Sequence, residues 1–62
     1  MQNRAVQIAA ELEKEHPGWV VTVLFRATSP PLYCARRAGE DVNACRSEDP
    51  DELAWEIEQE ES

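Results

Sequence analysis

Cysteine and histidine are too scarce in this chain to build the usual sites of a small protein. Two cysteines, Cys34 and Cys45, allow at most one internal bridge, too few for a disulfide scaffold. They stand in no Cys-x-x-Cys spacing, and with the single histidine, His16, they offer three candidate metal ligands. A structural zinc site takes four, so no metal and no cofactor is expected. His16 is isolated, whereas a catalytic histidine needs a nucleophile and an orienting group in reach. At a helix end it can instead satisfy a late carbonyl. No enzymatic role is expected.

Other absences bound the setting. No charged, apolar and small segment opens the chain, so no signal peptide is expected. No apolar run approaches the roughly 18 residues of a membrane span. These features read as a cytoplasmic protein with reduced thiols. Bases are missing where acids are densest: Ser47 to Ser62 holds eight acids and no lysine or arginine, within a net charge of -7. Such a chain does not hold a nucleic-acid backbone by bulk electrostatics. It can stay soluble or meet a basic protein surface. The four arginines from Arg26 to Arg46 face only Glu40 and Asp41 in that stretch. They can form a basic patch or pair with the protein's own acids.

What is present is organised around Trp19 to Arg26, the one long run of β-branched and aromatic residues. Pro17-Gly18 before it and Ser29-Pro30-Pro31 after it mark its ends, and it reads as a strand. Trp19, Val21, Val23 and Phe25 share one face, Val20, Thr22, Leu24 and Arg26 the other. The first set is bulkier and is assigned to the core. The second is too apolar for a freely solvated face, so something is expected to cover it.

Before this strand, residues 3–15 predict an amphipathic helix. Ala5, Ile8, Ala9, Leu12 and His16 lie on one face, with Val6 at its margin. Asn3 fits as N-cap, and Pro17 with Gly18 ends the helix. After it, residues 32–37 and 41–46 predict two further strands. A two-residue Gly39-Glu40 loop would set Arg37 against Val42, Ala35 against Ala44 and Cys34 against Cys45. Tyr33, Ala35, Val42 and Ala44 would then face the core, and Cys34 and Cys45 would form a cross-strand thiol pair. A three-residue loop would shift the register by one and break that pairing.

The last element has a strong start. Asp49 fits as N-cap, Pro50 as first helical residue, and Glu52 can reach back to the cap. Leu53, Ala54 and Ile57 form a narrow core stripe. Glu58, Glu60 and Glu61 lie at the wrong end for the helix dipole, so residues 57–62 are expected to fray. Trp55 lies roughly 155° from the stripe by the 3.6-residue period, either over a flank of the domain or as an interface anchor.

The fold class is therefore α+β in a single domain over residues 1–62. The order is αβββα, a three-stranded antiparallel meander with both helices on one face. Three pieces, Pro17-Gly18-Trp19, Tyr33-Cys34-Ala35-Arg36-Arg37 and Asp51-Glu52-Leu53, resemble landmarks of small uncharacterised actinobacterial proteins. That resemblance implies the same element order and an accessory or regulatory role, and carries over no catalytic residue. The order also resembles that of double-stranded-RNA-binding domains, whose second helix begins with bases that grip phosphate. Asp49, Asp51 and Glu52 occupy that place here, so the resemblance implies topology alone.

A chain of 62 residues buries only about 60% of its extended surface, and a partner subunit is a natural further source of stability. The function expected is that of a non-catalytic interaction or accessory module working as a homodimer, with Val20, Thr22, Leu24 and Trp55 as candidate interface residues. An acidic nucleic-acid mimic that blocks a basic partner is the alternative, and a thiol-redox protein a further one.

Overall fold

The computed structural model describes residues 4–62; the expected cap Asn3 lies outside the described residues. Helix α1 (Arg4–Glu15) leads through Pro17-Gly18 into strand β1 (Trp19–Leu24). Strands β2 (Leu32–Arg37) and β3 (Cys45–Ser47) follow, then helix α2 (Pro50–Glu61). The sheet is antiparallel in the order β1-β2-β3, the expected meander.

Both helices pack on one face. The apolar stripe of α1, Ala5, Ala9 and Leu12, meets Trp19 and Val21 of β1 and Tyr33 and Ala35 of β2 in a single core. Leu53 and Ile57 of α2 complete it and are fully buried. The small residues Ala5, Ala9 and Ala35 let helix and sheet approach closely, which is how so short a chain closes a core at all. The reversal between α1 and β1 uses the left-handed conformation of Gly18, φ +93°, and is closed by Trp19 N–H donating to the His16 carbonyl at 3.2 Å.

The first strand is shorter than its composition suggests. Pairing ends at Leu24 against Leu32, because Pro30 and Pro31 precede β2 and offer no donors. Phe25, expected in the core, lies beyond the ladder and is 50% exposed; Val23 is half-buried.

The third strand departs most from expectation. A turn over Arg37–Glu40 closes through Glu40 N–H to the Arg37 carbonyl at 3.0 Å, with Gly39 at φ +90°. Residues 41–44 then run exposed outside any strand, joined to the sheet by Ala44 N–H to the Ala35 carbonyl at 2.9 Å. Asp41 and Asn43 have little preference for a strand, and the wider loop shifts the register by one. Ala35 pairs with Cys45, and Cys34 with Arg46. A one-residue slip exchanges the two faces. Val42, 74% exposed, and Ala44 are therefore in solvent, and Cys45 takes the core seat.

Helix α2 begins as its sequence requires. Asp49 caps it, its Oδ1 accepting from Asp51 N–H at 2.9 Å, with Pro50 in the first turn. The Asp49 N–H goes to the Ser47 hydroxyl at 3.0 Å rather than to Glu52. At its other end the helix runs to Glu61 instead of fraying from residue 57. Its last turn is tied down: Arg37 donates to the Glu60 carbonyl at 2.8 Å, and Trp19 Nε1–H donates to Glu61 Oε2 at 3.1 Å.

Candidate interaction surfaces

The sheet has two faces, and among the described residues the helices cover only one. Alternation along β1 and β2 turns Val20, Thr22, Leu24, Leu32, Cys34 and Arg36 away from the helices, and Arg46 joins them from β3. Leu24 is 54% exposed, Thr22 and Arg46 are exposed, and Val20, Leu32 and Arg36 are half-buried. Cys34, in the middle strand between Thr22 and Arg46, is buried even so. Its paired strand residues carry two arginines, Arg36 and Arg46, and no acid; the Arg26–Glu48 pair lies past the end of the ladder. Arg36 donates to the Glu40 carbonyl at 3.0 Å.

On the far side of the molecule, Trp55 stands 60% exposed on α2 among Asp51, Glu52 and Glu58, all exposed. The candidate interface residues therefore fall on two separate surfaces: Val20, Thr22 and Leu24 on the sheet, Trp55 on the helix. The arginines divide likewise. Arg26 pairs with Glu48 and donates to the Pro30 carbonyl, and Arg37 pairs with Glu60.

The cysteines are not a pair. Both are free and buried, but the register sets their side chains on opposite faces of the sheet, and a bridge needs facing Cβ atoms. Burial pushes the Cys45 thiol above its ordinary range, the nearby Glu56 and Glu60 push it further, and Arg37 pulls it back in part. A thiol held protonated is a poor nucleophile.

No family model, curated protein or solved structure matches this chain.

His16 is buried at the end of α1, with Nδ1 3.9 Å from Glu61 Oε1. It belongs to the clamp on the last turn of α2 together with Trp19, Arg37, Glu60 and Glu61. Among the described residues no group of three or more His, Cys, Asp or Glu is placed to hold a metal ion. No helix among them is long and apolar enough to cross a membrane.

One contact has no counterpart in the sequence reading. The Glu13 carboxylate accepts the Val21 N–H at 2.9 Å. Glu13 reads as an ordinary helix-surface acid. The reversal at Pro17-Gly18, which folds β1 back along α1, is the feature that could have shown it facing the strand.

Proposed function

We propose that this protein is a non-catalytic interaction module, an accessory or regulatory protein that works in the cytoplasm as a homodimer through the open face of its sheet. The observation that carries the reading is the exposure of Leu24 beside Val20 and Thr22 on a face no helix covers. Closed twofold pairing is the commonest way such a patch is hidden. The cytoplasmic setting is supported by two thiols whose placement serves no bridge.

The size of the face sets the strength expected. Two six-residue strands and one of three residues, at about 3.3 Å per residue and about 4.8 Å spacing, give a face of about 240 Å². A standard interface buries about 800 Å² per partner, so the dimer is weak and concentration-dependent. Arg36 and Arg46 bring like charges to the same contact, so salt should strengthen it.

Sedimentation equilibrium over a wide concentration range tests this. A single 7.0 kDa species up to high micromolar refutes the dimer. Where a dimer forms, Leu24→Lys should dissociate it and Trp55→Ala should leave it; the reverse order moves the interface to α2.

A second reading, an acidic mimic of nucleic acid, is favoured by the outer surface of α2, where exposed acids surround Trp55 with no base on the helix. Salt separates the two, since binding of a basic partner by that surface would weaken steeply as ionic strength rises.

A further inference from the structure

Strand β1 is an edge strand, hydrogen-bonded on one side only. Its ladder to β2 leaves the N–H and C=O of every second residue pointing outward. The Val21 N–H, which goes to Glu13 rather than to β2, fixes which residues these are: Trp19, Val21 and Val23. The Trp19 N–H is used by the His16 carbonyl. The Val23 N–H has no strand beside it.

Between this edge and α1 lies a groove of about 340 Å³, lined by Val6, Ala10, Glu13, Val23 and Phe25 among others. Val6 and Phe25 are half exposed, two of the five large apolar side chains the described fold leaves in solvent. The groove therefore combines the outward Val23 N–H, a Val21 N–H held only by a side chain, an apolar end and one carboxylate. That carboxylate already occupies the place a neighbouring strand's carbonyl would take on Val21.

We propose that the β1 edge binds an extended peptide segment carrying a lysine or arginine, added as a fourth strand with its cation on Glu13. The backbone of such a segment pairs with Val21 and Val23, the mode known as strand addition. Its side chains toward α1 alternate every second residue. Apolar ones meet Val6, Ala10 and Phe25, and the cation meets Glu13 once a peptide carbonyl has taken over the Val21 N–H. A released carboxylate at a part-buried edge gains a charged partner in place of a neutral one.

The same charge decides against a second copy of this chain as the occupant. Antiparallel pairing of two β1 edges would bring both Glu13 carboxylates to one seam, each displaced from its Val21 N–H. A charge held over an edge is also the usual device against such pairing. This surface adjoins the open sheet face at Thr22, which lines the groove as well, but the inference does not depend on the dimer.

The test is an amide titration of isotope-labelled full-length protein with a short alternating Thr/Val peptide bearing one central lysine. Two control peptides carry glutamate in place of the lysine, or N-methyl groups on the amides that would face β1. Saturable shifts centred on the Val21 and Val23 amides are expected. The glutamate peptide should bind about tenfold more weakly, and the N-methylated one should not bind. Glu13→Gln should abolish the preference for lysine over glutamate while keeping strand addition. The proposal is overturned if the lysine and glutamate peptides bind wild type alike, if N-methylation has no effect, or if no saturable shift appears by millimolar peptide. It is equally overturned if shifts gather at Cys34 and Arg46 instead, or if protein alone already pairs through Val21 and Val23.

Discussion

Removing the Arg37 guanidinium should loosen the last turn of α2, the turn whose acids favour fraying. The side chain makes three contacts. Its guanidinium carbon lies 4.7 Å from the Trp19 ring centroid. Its Nη2 donates to the Glu60 carbonyl at 2.8 Å and lies 3.8 Å from the Glu60 carboxylate. The last carbonyls of a helix have no partners within it, and a cation at that end contributes about 0.3–1 kcal/mol. Stacking on an aromatic face at a partly exposed site adds about 0.5–1 kcal/mol. The ion pair, with both partners 40% or more exposed, adds close to nothing. Arg37→Ala should therefore cost about 1–2 kcal/mol, against roughly 3–9 kcal/mol of total stability for a domain of this length. The corresponding fall in Tm is roughly 4–16 °C. Arg37→Lys keeps the charge but loses the flat stack, and should fall between. Thermal melts followed by circular dichroism give the stability, and backbone carbon shifts of residues 58–61 report the helix. Unchanged melting in Arg37→Ala, or full restoration by lysine, would refute the account of how the acidic end is held.

Two further outcomes follow from single contacts. Asp49→Ala removes the acceptor of Asp51 N–H and should cost about 1 kcal/mol in urea unfolding, with Asp49→Asn close to wild type; equal losses in both would show that the cap is not the cause. The Cys45 thiol is raised in the folded state, first by burial and then by Glu56 and Glu60, so the native form holds its proton to higher pH than the unfolded chain does. Its contribution is fully present below the ordinary thiol range and is lost as pH rises through the folded value. Wild type should therefore lose stability above about pH 9 more steeply than Cys45→Ala, and parallel pH profiles would remove Cys45 as the source.

Much of the fold was legible because its signals are local. The α1 stripe from Ala5 to His16, the Pro17-Gly18 stop, the β2 boundaries and the Asp49-Pro50 start each depend on neighbours in sequence, and each stands where periodicity and capping place it. What failed depends on how a loop closes. Gly39 marks the turn, but whether the chain resumes pairing at once or after Ala44 is decided by which side chain fills the seat opposite Ala35. Cys45 fills it, and that choice separates the two thiols. The end of α2 departs from its sequence pattern for a related reason. Helix-dipole reasoning sees only the acids of the helix, whereas Trp19 and Arg37, far away in sequence, supply the donors that offset it.

The candidate surfaces were legible in proportion to how far they depend on β1 alone. Alternation along one strand suffices to place Val20, Thr22 and Leu24 together, and to show that they are too apolar for the outside of a sheet. No such reading finds the groove at the other side of that strand, because its defining contact joins an acid on α1 to a backbone N–H. Sequence patterns describe side chains, and an open strand edge is a property of the backbone. The two surfaces also differ in what can use them. The open face is broad, weakly apolar and marked by Arg36 and Arg46, which repel a second copy only mildly and recede with salt. The edge is narrow and directional, and Glu13 gives it a sign. One six-residue strand thus offers the two proposed contacts of different kind: one whose strength follows the protein's own concentration, and one whose specificity follows the charge on an extended partner.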